Sequence, residues 1–164
     1  MSSEETDRLL RKAERLCDSG NESAAFDALN SALAESPLNV RLIAFRAHLY
    51  SRNGNYSQAL QDLDSAVRVD SRDPYLFLFR GRCLRRLGKF RSAVTDFSRG
   101  LELCNEQEDQ WYRETLLFLR AEANLRQGRT DDARQDLREI PDDFEFWIDR
   151  LISKNDLVRE CLNQ

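Results

Sequence analysis

The chain has 164 residues, 33% of them charged and 41% hydrophobic, with six glycines and three prolines, which suits one domain of amphipathic helices and argues against a strand-and-turn fold. A net charge of -4 disfavours nucleic acid and anionic membrane as partners unless the basic residues gather on one surface. One histidine and four scattered cysteines argue against a zinc site or a disulfide framework, and no apolar run approaches the ~20 residues of a membrane span, so we expect a cytoplasmic protein with reduced thiols and with no metal or cofactor.

Gly20, Gly54 and Gly88 are separated by 34 residues each, and this period sets the elements in chain order. Repeat one is residues 6–39, with Ala13 before the turn glycine and Ala25, Leu29 and Ala32 after it. Repeat two, 40–73, places Ala47, Ala59, Leu63 and Ala66 in the same columns. Repeat three, 74–107, places Gly81, Ala93, Phe97 and Gly100 there. Small residues at these positions let two helices approach closely, and the large apolar column fills the space beside them. A degenerate fourth repeat, 114–141, centres on Gly128 with Ala121 before and Ala133 after. Its glycine comes 40 residues after Gly88, so six residues are inserted; they are expected near 105–111, lengthening the loop or the first helix of repeat four. Pro141 stops the second helix of that repeat. Residues 142–164 read as a terminal helix, with Asn155 as a candidate break, in which Phe144, Trp147, Ile148, Leu151 and Ile152 recur at helical spacing to cap the last repeat.

Charge separates into two sets. Lys12, Arg46, Arg80 and Arg120 share one first-helix column, and Asp62, Asp96 and Asp136 share one second-helix column, with Ala28 in that place in repeat one. Arginine and aspartate vary together, which predicts hairpin ion pairs from Arg46 to Asp62, Arg80 to Asp96 and Arg120 to Asp136. The second set is a surplus: residues 74–95 hold six basic side chains and no acidic one.

The segments Gly54-Asn-Tyr-Ser-Gln-Ala-Leu and Gly88-Lys-Phe-Arg-Ser-Ala-Val resemble the turn and second-helix start of tetratricopeptide repeats. The resemblance covers most of the chain. It implies an all-α, right-handed superhelical solenoid of antiparallel helix pairs, whose concave groove is lined by one stripe of every first helix and holds another polypeptide. In this register the expected partner-binding residues are Arg41, His48 and Arg52 in repeat two, Tyr75, Leu78, Arg82, Arg85 and Arg86 in repeat three, and Phe118 and Arg126 in repeat four. Basic residues beside aromatic anchors suit an acidic segment. Arg52, Arg86 and Arg126 equally suit a solvated helix C-terminus. The lysine and asparagine positions of the family's carboxylate clamp are occupied here by Leu10, Glu14, Arg41, Phe45 and Phe79, so chaperone-tail binding is not expected.

No nucleophile-and-base pair, metal constellation or pocketed carboxylate pair stands out, so no catalytic residue is expected and the chain reads as a non-enzyme. Two protein-binding roles stay open: an adaptor for an acidic peptide, or a dedicated chaperone or toxin-immunity type of partner that covers a folded surface. RNA binding is a distant third, because no aromatic ladder repeats along the groove.

Overall fold

The computed structural model describes residues 1–108, 111–147 and 151–163. Its contacts divide the chain into two compact units, Met1–Ser71 and Arg72–Gln164, at the boundary between repeats two and three.

The first unit is two helical hairpins, α1 (Ser3–Asp18) with α2 (Glu22–Glu35) and α3 (Val40–Arg52) with α4 (Tyr56–Val69). Ser2 opens α1 with a capping box completed by Glu5, and Asn21 and Asn39 cap α2 and α3 by accepting from the amides of Ala24 and Leu42. The small-residue columns close each hairpin: Ala13, Ala25, Ala47, Ala59 and Ala66 are fully buried, with Leu29, Leu42 and Leu63 filling the space between.

The second unit repeats the pattern with α5 (Pro74–Arg86), α6 (Phe90–Gln107), α7 (Arg113–Leu125) and α8 (Thr130–Arg138), then adds strands β1 (Glu145–Trp147) and β2 (Leu151–Ser153) and helix α9 (Lys154–Leu162). Gly81 lets Phe97 lie flat on α5, since a Cβ there would stand 2.4 Å from the ring. Gly88 turns the chain with φ +70°, a conformation that favours glycine. Phe97, Leu116, Phe118 and Leu119 form the centre of this core, and α9 adds Leu157 and Cys161 to its C-terminal side.

Two expectations are corrected here. The inserted residues lengthen neither the first helix of repeat four nor the following loop alone. Helix α7 keeps 13 residues like α3 and α5, whereas α6 grows to 18 against 14 in α2 and α4 and ends at Glu108 in the left-handed region. The extra turn is held at its end, where Gln107 donates to the Arg72 carbonyl and Arg72 pairs with Glu106 at 3.3 Å. The expected terminal helix is also only half present. Glu145–Trp147 and Leu151–Ser153 instead pair as antiparallel strands, with Phe146 opposite Ile152, and helix begins only at Lys154. The reason is local: Asp143-Phe144-Glu145-Phe146 alternates polar and aromatic residues with period two, which in extended chain puts both phenylalanine rings on one side, just before and within β1. Ser153 and Asp156 then form a capping box that starts α9. Ile148 and the side chains of Trp147 and Leu151 lie outside the described residues.

Candidate functional site

The paired charges account for three of the four basic residues in the first-helix column. Arg46 donates through Nε and Nη2 to Asp62 at 2.8 and 2.7 Å, Arg80 to Asp96 at 2.8 and 2.7 Å, and Arg120 to Asp136 at 2.9 and 2.6 Å. Each is a two-pronged contact between the helices of one hairpin, with the carboxylate buried and the guanidinium half-buried. Arg46 also reaches Asn30, and Arg120 reaches Ser98, on the preceding second helix, so the same arginines tie successive repeats together inside each unit. Burial pushes the Asp136 carboxyl above its ordinary range, against the pull of Arg120. These arginines hold the hairpins and are not free for a partner.

In the first unit, Arg41 and His48 are exposed on α3 and Arg52 stands at its end. Arg41 pairs with Asp7 at 2.5 Å and Arg52 with Glu22 at 3.7 Å, while His48 lies beside Phe45 with ring centroids 6.4 Å apart. The basic character of α3 is thus largely balanced by acidic residues of α1 and α2. A second basic surface, which the repeat register did not single out, lies in a cleft of about 840 Å³ between α1 and α2. Arg8, Arg11, Lys12 and Arg15 line it. The sequence signal for it was Ala28, which leaves Lys12 opposite an alanine where the later repeats have aspartate.

In the second unit, α5 and α7 bring several expected residues to one face, but not as an open apolar cradle. Phe118 is fully buried and Leu78 is 6% exposed, so neither is available as the anchor that the register implied. For Phe118 the cover is the C-terminal segment. Phe144 and Phe146 lie against Phe118, with ring centroids at 5.3 and 6.1 Å, and Arg82 sits over the Phe146 ring at 5.8 Å. Arg85 is corrected as well: its side chain is only 9% exposed and its Nη1 stands 3.8 Å from Glu122. Glu122 is itself buried on α7 and accepts from Arg126 Nε at 2.9 Å, and Arg126 reaches Glu160 of α9 at 4.0 Å. This contact with Glu122 raises the Arg126 guanidinium further, so it stays charged. Arg85 and Arg126 therefore share a carboxylate buried between α5 and α7.

Tyr75 stacks against Phe79 and Tyr112, with centroids at 5.9 and 5.8 Å, and burial pushes its hydroxyl up. Arg82 and Arg86 remain exposed on α5. The segment over this face is pinned at its base by Lys154, a buried lysine that donates to the Ile140 carbonyl and to Asp142 at 2.7 Å each, and whose amide donates to the Phe144 carbonyl.

Among the described residues, no group of three or more histidine, cysteine, aspartate or glutamate side chains is arranged to hold a metal ion, and no helix is long and apolar enough to cross a membrane. All four cysteines are buried, and burial raises the thiols of Cys17 and Cys161, which makes these two poor nucleophiles.

Models of the tetratricopeptide repeat match residues 46–108 and 115–144, together more than half of the chain. Among solved structures, the chain is similar to a crystal structure of MamA, at 16% identity and TM-score 0.69 over 77% of this chain and 70% of that one. A MamA structure designated AMB-1 is 18% identical, with TM-score 0.68 over 92% of this chain and 78% of that one. A tetratricopeptide repeat protein from Parabacteroides merdae is 22% identical, with TM-score 0.70 over 82% of this chain but only 51% of that one. At these identities the likeness establishes the fold alone. No curated protein matches the sequence.

Proposed function

The chain belongs to the tetratricopeptide-repeat family, whose repeats are protein-interaction scaffolds, and from that premise we propose that it is a non-catalytic scaffold that holds an acidic segment of a partner polypeptide on the first-helix face of its second unit. One observation carries this reading. Once Arg80 and Arg120 are paired with aspartates and Arg85 and Arg126 share Glu122, Arg82 is left exposed on α5 with its guanidinium over the Phe146 ring. Arg86, also exposed, stands one turn on, near the end of α5. A carboxylate arriving here gains a charge-assisted hydrogen bond without first displacing a buried one. Electrostatics of this kind speed association and select the partner, while apolar contacts supply most of the affinity.

The test is capture of the partner from native lysate by wild type and by the Arg82→Glu/Arg86→Glu variant. Both side chains are exposed, so helical content and melting temperature should stay within the small range typical of surface changes. Capture should fall at least tenfold. Undiminished capture by a folded variant would refute the assignment of this face.

A further inference from the structure

The α5–α7 face already carries an occupant, and that occupant has the chemistry expected of a partner. Residues Asp142-Asp143-Phe144-Glu145-Phe146 alternate carboxylates with aromatic rings. The two rings lie together on Phe118, and the second also takes the Arg82 guanidinium on its face. Asp143 and Glu145 point away enough to stay exposed, on either side of the ring nearest Phe118. This is how an extended peptide is read by alternate side chains: one set fills the apolar site and the other set faces solvent and nearby charge.

The hold on this segment is slight compared with the helices beneath it. Its strands are three residues each, and a two-stranded hairpin of that size is marginal without packing from outside. Phe144 and Phe146 are only half-buried, unlike Phe118. The firm attachment is at the base, where Lys154 grips Asp142 and the Ile140 carbonyl, so the rings can leave the face while α9 keeps its place on the core.

Resting on the function proposed above, we infer that the α5–α7 face recognises segments in which aromatic residues at alternate positions are flanked by carboxylates, and that residues 143–147 are an internal stand-in which such a partner segment displaces. A tethered stand-in competes at an effective concentration in the millimolar range. If it covers the face between 90% and 99% of the time, the partner's apparent affinity is reduced by about 10- to 100-fold.

The probe is a labelled synthetic peptide, Pro-Asp-Asp-Phe-Glu-Phe-Trp, the sequence of residues 141–147, titrated by fluorescence anisotropy into three full-length proteins. The Phe144→Ala/Phe146→Ala variant, whose face is uncovered, should bind it at least tenfold more tightly than wild type. Adding Arg82→Glu to that variant should remove most of the gain. Equal binding by wild type and the uncovered variant, or no binding by either, would overturn the inference and make the segment a permanent part of the fold. Because the alanine variant exposes Phe118, a second measurement avoids it: hydrogen exchange of residues 142–153 in wild type, with and without saturating peptide. Faster exchange in the presence of peptide supports displacement, and unchanged exchange with peptide bound overturns it. The two proposals fail separately, since lysate capture that ignores Arg82 would leave peptide recognition standing, and loss of peptide recognition would leave Arg82-dependent capture standing.

Discussion

Replacing Asp96 with alanine tests the separation of structural from recognition charge most directly. Asp96 accepts two hydrogen bonds from Arg80, at 2.8 and 2.7 Å, and its side chain is 7% exposed against 21% for the arginine. Removing it strands a guanidinium between α5 and α6, where breaking a buried pair costs about 3–5 kcal/mol. Water reaches part of Arg80, so the lower end applies, about 3 kcal/mol. For a chain of this length each kcal/mol moves the midpoint by roughly 2–4 °C, which gives a fall of about 6–12 °C. The assay is thermal unfolding followed by far-UV circular dichroism, with Arg82→Ala as the comparison, expected within ~0.5 kcal/mol of wild type. The double variant Arg80→Leu/Asp96→Leu should recover much of the loss, because no charge is then left buried. A cost under 1 kcal/mol for Asp96→Ala, or an equal cost for Arg82→Ala, would refute the reasoning.

Gly81→Ala should destabilise by about 1–3 kcal/mol in the same melt, since its Cβ would stand 2.4 Å from Phe97 and the ring must move. Gly88→Ala meets no neighbour within 4 Å, so its cost of about 1 kcal/mol should be backbone strain alone, unchanged by repacking Phe97. Lys154→Ala should cost about 2 kcal/mol by chemical denaturation and speed hydrogen exchange at residues 144–153, because the Ile140 carbonyl and Asp142 lose their donor. Lys154 also holds the Asp142 carboxyl below its ordinary range. A depressed folded value means that this stabilisation is present above the unfolded carboxyl's range and lost as pH falls through the folded one. The difference in melting temperature between wild type and Asp142→Asn should therefore be present at neutral pH and vanish in acid.

The helical pairs and their ion pairs were legible because each is written several times in the same columns, so that Arg80 with Asp96 supports Arg46 with Asp62 and Arg120 with Asp136. The C-terminal segment was written once. Its five large apolar residues satisfy a helical period, yet the alternation around Phe144 and Phe146 satisfies a strand period as well, and short apolar runs do not distinguish the two. The site suffered from the same gap. Register alone put Phe118 and Leu78 on an inner stripe, but whether a stripe is open depends on what later chain lies over it. Arg85 was misjudged for a different reason: Glu122, one turn along the neighbouring first helix, neutralises it, and that pairing between repeats three and four has no counterpart in repeats one and two to reveal it.

The order of the chain gives the covered face a history. Synthesis proceeds at about 5–20 residues per second, and domains form as they emerge. Helices α5 and α7 are complete by Leu125, and the hairpin that lies over them ends at Ser153. On a nascent chain the face formed by Arg82 and Phe118 is thus present before its cover has been made, for an interval on the order of seconds. A partner already waiting at the ribosome meets this surface bare, whereas one that arrives later must contend with the finished molecule.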